Sequence, residues 1–258
     1  MSEELNVALI QAPLVWEDPE RNRALFSQKI AEIKAGVHLI VLPEMFTTGF
    51  TMSPDNIALA ESRRTVHWMQ EEASKKNAAI VGSTVFQEAG AFFNRLFFVE
   101  PDQTVSYYDK RHTFTLAGED KVYSAGSEKL IVNYRGFAIC PMVCYDLRFP
   151  VWARNVENYD VLLYVANWPK PRINAWDNLL KARAIENMCY CIGVNRVGED
   201  RSGHSYCGHS AVYDTLGEEL VFSTEETMLY TTLRREHIST TRNQLKFLDD
   251  RDPFTLEG

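Results

Sequence analysis

Short apolar runs separated by amphipathic stretches recur through this chain, and that alternation restricts it to helices packed on sheets. The runs Leu5 to Ile10, Val37 to Leu42, Ala78 to Phe86, Leu96 to Val99, Phe137 to Cys144, Val161 to Val165 and Cys189 to Val194 are rich in Val, Ile, Phe and Tyr and predict strands. Helical patterns lie between several of them, over 19–35, 62–76 and 173–188, the last with Trp176, Leu179, Leu180 and Ile185 at helical spacing. Residues 91–108 break the βα rhythm. Strand-like runs there flank Pro101-Asp102-Gln103, a hairpin turn signal, so the sheet should be mixed. With 258 residues and no convincing linker or short repeat, one α/β domain over 1–258 is expected. From about residue 235 the chain becomes polar with little periodicity, which predicts a tail lying over the surface or over a neighbouring subunit.

Composition narrows the function classes. No apolar run is long enough to span a bilayer and no charged-then-apolar leader opens the chain, so a cytoplasmic protein is expected. The five cysteines are odd in number and sit in apolar segments of a chain too long to need disulfide staples, which predicts reduced thiols. The formal charge of -8 comes without a basic stripe, which argues against nucleic acid while leaving room for a small anion in a locally basic pocket.

Three reactive side chains directly follow strand-like runs: Glu44 after 37–43, Lys110 after 105–109 and Cys144 after 137–143. Ligands in α/β folds bind at the carboxyl ends of strands, so three such ends could converge. Each residue also has a plainer reading. Cys144 precedes Tyr-Asp-Leu-Arg-Phe-Pro and an expected helix from Val151, a sharp turn near helix N–H groups that would favour thiolate; a cysteine ending an apolar run is more often a packed thiol. Glu44 suits a general base if partly buried, but a strand-end glutamate more often caps a turn or pairs with an arginine. Lys110, in Asp-Lys-Arg-His, is most simply a solvated charge, or else a fixed cation for an oxyanion.

Four segments in order then carry a resemblance: Leu42-Pro43-Glu44-Met45-Phe46, Tyr108-Asp109-Lys110-Arg111-His112, Cys144-Tyr145-Asp146-Leu147-Arg148-Phe149-Pro150, and Lys181-Ala182-Arg183-Ala184-Ile185-Glu186-Asn187. With Gly208-His209-Ser210 and Gly217-Glu218 they resemble the nitrilase superfamily of carbon–nitrogen hydrolases, from about residue 5 to about 235. Asn167-Trp168-Pro169 is similar to bacterial members of its ω-amidase branch. The resemblance implies a four-layer αββα sandwich with two mixed sheets, a Glu-Lys-Cys set on Glu44, Lys110 and Cys144, no metal or organic cofactor, and at least a homodimer. It implies a second glutamate, best matched by Glu119, where a solvated loop acid is an equal reading.

The implied chemistry is amide hydrolysis through a cysteine thioester, with Lys110 and the Tyr145 backbone N–H holding the oxyanion. Arg148 would grip the far carboxylate of a short dicarboxylic monoamide such as 2-oxoglutaramate or 2-oxosuccinamate, or else form a structural ion pair. Phe114, Trp168 and Trp176 are candidate pocket walls, although aromatics in such places are more often core. Two other readings stand beside this one: a relative acting on nitriles, N-carbamoyl compounds or other amides, and a domain that binds a metabolite or partner without turnover. Pairing of His112 with Cys144 would leave Glu44 and Lys110 idle. Cys189 and Cys191 share a strand face without a second metal-ligand pair, and His204 and His209 fit no metal motif.

Overall fold

Alternate residues of the first strand serve two different cores. A computed structural model describes residues 3–256. In strand β1 (Glu4–Gln11), Leu5, Val7 and Leu9 enter one buried cluster while Ala8 and Ile10 enter another, as a strand buried on both faces requires. The same division holds for Leu39 and Val41 against Ile40 in β2 (Leu39–Val41), and for Ala79 and Val81 against Ile80 in β3 (Ala79–Glu88). One sheet is completed by β4 (Ala91–Val99) and β5 (Val105–Asp109). The other is built from β6 (Val132–Tyr134), β7 (Phe137–Val143), β8 (Val161–Ala166) and β9 (Tyr190–Asn195). A separate hairpin, β10 (Val197–Glu199) and β11 (Ser205–Cys207), precedes β12 (Ser210–Tyr213), β13 (Glu219–Ser223) and β14 (Thr227–Arg234).

Hydrogen bonding orders the first sheet β14-β1-β2-β3-β4-β5 and the second β13-β12-β9-β8-β7-β6. Both are mixed: β1-β2-β3 and β7-β8-β9 are parallel, and the outer pairings are antiparallel. The β4–β5 hairpin turns at Pro101-Asp102-Gln103, where Asp102 Oδ1 accepts from Thr104 N at 2.9 Å. Because β4 reverses the chain, β5 again runs parallel to β2 and β3 and delivers its carboxyl end to the same edge. Helices α1 (Pro19–Glu32) and α2 (Leu59–Lys76) cover the first sheet through Phe26, Ile30, Met69 and Ala73. A single turn, α3 (Pro150–Ala153), follows the nucleophile segment, and α4 (Ile173–Asn187) covers the second sheet with Trp176, Leu180 and Ala184. The result is the four-layer αββα sandwich, its largest core lying between the sheets.

Three local expectations are corrected. The helix from Val151 is one turn long, since Arg154 leaves helical geometry at φ -59°, ψ 130°. Ile185 is 46% exposed and not part of the buried face of α4. The first part of the expected tail is a helix: α5 (Arg235–Leu245) follows directly on β14, which pairs along all of β1. Long-range polar bonds that no sequence window contains hold α5, with Arg242 donating to the Tyr159 and Met188 carbonyls at 2.6 and 2.9 Å and Arg235 to Asp160 at 3.1 Å.

The contact between α4 and β9 depends on the missing side chain of Gly193, whose place is occupied: a Cβ there would stand 2.4 Å from Leu180 Cδ1 and 2.7 Å from Trp176 Cζ2. Leucine can swing away, but an indole ring cannot be shortened. Gly193→Ala is expected to lower stability by about 1–3 kcal/mol, measured as a fall in the denaturant midpoint with an unchanged slope.

Candidate active site

Glu44 lies three residues beyond β2, is fully buried, and has three of its roughly four lone-pair sites filled. Oε1 accepts from Asn94 Nδ2 at 2.8 Å and from Lys110 Nζ at 2.9 Å, and Oε2 accepts the Asn167 backbone N–H at 2.8 Å. Asn167 follows β8 in the other sheet, and its Nδ2 also donates to the Glu44 carbonyl at 2.6 Å. The carboxylate is thus a seam between the sheets.

Lys110, 1% exposed, follows β5 and stands between two acids, with Glu119 Oε2 at 2.8 Å opposite Glu44. Burial alone would lower its pKa, but the charges of Glu119 and Glu44 outweigh that and hold the ammonium well above the usual lysine range. Glu119 is fully buried and accepts in addition from Asn94 Nδ2 at 3.1 Å and Phe114 N at 2.6 Å. Burial raises its pKa and the Lys110 cation offsets part of that rise. Solvated readings of Lys110 and Glu119 are therefore wrong, whereas neighbouring Asp120 is exposed.

Cys144 begins a five-residue 3₁₀ turn, Cys144–Arg148, with a left-handed φ of 45°, an unusual conformation for a residue with a side chain. Asp146 locks that turn. Its Oδ2 accepts from Val143 N at 3.0 Å and Tyr108 OH at 2.8 Å, and its Oδ1 accepts from His112 N at 2.9 Å with His112 Nδ1 at 2.8 Å. The buried carboxylate ties the turn bearing Cys144 to the segment bearing Lys110. His112 is committed to Asp146 and stacks on Phe149 at 3.7 Å, which accounts for it without a pairing to Cys144.

The expectation that this turn favours thiolate is overturned. Burial pushes the Cys144 thiol well up, the Glu44 charge adds to the rise, and the Lys110 cation only partly opposes it. Two carboxylates and one ammonium already leave a net negative charge, so a resting thiolate would add a second.

A pocket of about 320 Å³ opens from Cys144 and Lys110. Phe114, Tyr145, Arg148 and Trp168 line it, as expected. Tyr145 packs between Phe114 and Phe149 at 4.9 and 5.1 Å, and the Arg148 guanidinium lies 4.9 Å from the Trp168 ring. Trp176 does not line it: fully buried behind Trp168 at 5.5 Å, it donates Nε1–H to the His209 carbonyl at 2.7 Å and belongs to the core. The pocket also receives Arg172, Phe50 and the β10–β11 hairpin through Asp200 and His204; of these only His204 drew notice in the sequence, and as a metal ligand that fits no motif. Asn94 and Asp146 escaped as well, one inside an apolar strand and the other inside a quoted motif without a role. Cys189 and Cys191 are buried free thiols, both pushed up by burial.

The sequence model of the carbon-nitrogen hydrolase family matches residues 6–243. This chain belongs to the carbon-nitrogen hydrolases. Within them it is 49% identical over 214 residues to omega-amidase YafV of Escherichia coli K12, covering 83% of each protein. It is 31% identical over 219 residues to 2-oxoglutaramate amidase of Bacillus subtilis, covering 83% of this chain and 84% of that one. The crystal structure of XC1258 from Xanthomonas campestris, a CN-hydrolase superfamily protein with an arsenic adduct in its active site, superposes with a TM-score of 0.96 at 39% identity, covering 99% of this chain and all of that one. Among the described residues of this carbon-nitrogen hydrolase, no helix is long and apolar enough to cross a membrane.

Because Glu44 contributes to the raised Cys144 pKa, Glu44→Gln is expected to move the pH profile of thiol alkylation to lower pH. The sign follows from charge: a thiolate beside a neutral amide lacks the repulsion it meets beside a carboxylate. Iodoacetamide labelling across pH, read at Cys144 by peptide mass spectrometry, measures it.

Proposed function

We propose that this carbon-nitrogen hydrolase is an ω-amidase, releasing ammonia from the terminal amide of short dicarboxylic monoamides such as 2-oxoglutaramate and 2-oxosuccinamate. The observation that carries the reading is the pocket itself, lined at once by Cys144, Lys110 and Arg148. The similarity to an omega-amidase and to a 2-oxoglutaramate amidase points the same way.

Glu44 is the general base, because it is the acid that bears most strongly on the Cys144 thiol and three of its lone-pair sites are fixed. With the thiol pKa held up, the proton passes from Sγ to Glu44 as the S–C bond forms, without a standing thiolate. The carbonyl π electrons become an oxyanion. Lys110 donates to Glu44 at 2.9 Å and to both oxygens of Glu119 at 2.8 and 3.1 Å; the donor in the longest of these bonds turns to the oxyanion, which the Tyr145 backbone N–H also holds. As the C–N bond breaks, Glu44 returns the proton to nitrogen and ammonia departs. Water then attacks the thioester, giving a proton to Glu44; the C–S bond breaks, the acid leaves, and Glu44 reprotonates the sulfur. Glu119 fixes the Lys110 ammonium opposite Glu44 and does not meet the substrate.

Arg148 provides the carboxylate grip, and Phe114, Tyr145 and Trp168 shape the chain-length selection. The same reading carries a homodimer of single-domain chains working in the cytoplasm, without metal or organic cofactor.

Cys144→Ala is expected to abolish ammonia release. Lys110→Met should lower kcat by on the order of a hundredfold or more, since it removes an oxyanion donor. Steady-state assays with 2-oxoglutaramate, glutamine, a simple nitrile and an N-carbamoyl amino acid test the substrate class; turnover confined to the nitrile or carbamoyl compound overturns it. Arg148→Met is expected to weaken transition-state binding of anionic amides by about 1.5–3 kcal/mol, seen as a fall in kcat/KM.

A further inference from the structure

The pocket holds two guanidinium groups and not one. Arg172 ends a 3₁₀ turn at Lys170–Arg172, after β8, and lines the same cavity as Cys144 and Arg148. Its guanidinium lies 5.1 Å from the Phe114 ring, whereas that of Arg148 lies 4.9 Å from the Trp168 ring. The turn is anchored through its own backbone, since the Arg172 carbonyl accepts from Trp168 Nε1 at 2.8 Å. Among the described residues, no carboxylate lies within 4.0 Å of either guanidinium, and neither donates a hydrogen bond within the protein. Asp200, an acid in the lining, has its oxygens engaged by its own hairpin: Oδ1 accepts from Ser202 N and His204 N, and Oδ2 from Tyr206 OH. Two half-buried cations therefore stand in one small cavity, each over an aromatic ring with its donors unused.

A single guanidinium fork satisfies a single carboxylate. A second one is surplus for a substrate whose only anionic or acceptor group away from the amide is that carboxylate. A 2-oxo acid offers one acceptor more, the carbonyl oxygen next to the carboxylate. A 2-amino acid places an ammonium in that position, where a guanidinium repels it. Building on the ω-amidase reading, we propose that Arg172 is the specificity residue for the 2-position: it donates to the 2-oxo oxygen while Arg148 holds the carboxylate, so the pocket selects 2-oxo acid amides over unsubstituted and 2-amino ones. The cation–π contact with Phe114 holds the guanidinium at the pocket while its N–H groups remain available to the ligand.

The test is a ratio, because a merely structural role for Arg172 would lower activity on all amides together. Values of kcat/KM are measured for 2-oxoglutaramate, glutaramate and glutamine with the wild-type protein, Arg172→Met, Arg172→Lys and Arg148→Met. The expected result is that Arg172→Met reduces the preference for 2-oxoglutaramate over glutaramate by about ten- to a hundredfold, the value of one charge-assisted hydrogen bond. Arg172→Lys restores part of that preference and keeps the discrimination against glutamine, because it retains the charge. Arg148→Met lowers both anionic amides in step. Comparing proteins on the same compound cancels any solution equilibrium of that compound. Calorimetric binding of 2-oxoglutaramate and glutaramate to Cys144→Ala, with and without Arg172→Met, gives the same ratio without turnover. Wild-type protein inactive on all three amides sinks the ω-amidase reading, and the binding ratio still decides Arg172. A ratio that Arg172→Met leaves unaltered, or one that collapses only in Arg148→Met, overturns the proposal.

Discussion

The contact on which the site depends is the Lys110 ammonium held between Glu44 and Glu119 in a place closed to water. Each of the three charges would be ruinous alone at that depth; together they satisfy one another, and Asn94 bridges the two acids from the neighbouring strand. Removing one partner of such a group commonly costs about 3–5 kcal/mol, because the survivor is left buried and uncompensated. The triad also does architectural work. Through Asn167 it ties the end of β2 to the end of β8, so the two sheets meet at the edge where the pocket opens.

A raised thiol pKa follows from that arrangement and sets the order of events in the mechanism. An unpaired cation beside Cys144 would draw out a thiolate, which would be reactive toward any small electrophile. A cation already flanked by two carboxylates does not. In the proposed mechanism nucleophile activation thereby waits for a carbonyl carbon, at which point the charge moves from sulfur to an oxygen within reach of Lys110.

Much of this was legible in the sequence, and the reasons differ by element. Short apolar runs rich in Val, Ile and Phe identified β1 and β3, and the Pro-Asp-Gln turn identified the β4–β5 hairpin, because both signals are local. Glu44, Lys110 and Cys144 each sit one to three residues past a strand, so position made them candidates, and the ordered motifs of a known superfamily raised them above their plainer readings. What stayed hidden depends on contacts between distant segments. Asn94 looks like a polar interruption of an apolar strand until Ser83, Glu44 and Glu119 are seen around it. Helix α5 lacks a strong apolar stripe and is held by arginines reaching carbonyls some 50 to 80 residues away in sequence. Trp176 sits at a helical spacing equally suited to core or pocket wall, and only packing behind Trp168 decides between them.

Consider last the two guanidiniums left without carboxylate partners in a protein of formal charge -8. To a small dianion or monoanion diffusing nearby, most of such a surface is weakly repulsive, and the pocket mouth is a local positive island within it. Field lines concentrate in a low-dielectric cleft, so for the ω-amidase proposed above capture is steered to the site, and products carrying one more negative charge than the amide leave against that same field. On that reading ionic strength acts on both halves of the catalytic cycle in opposite senses, slowing arrival and easing departure.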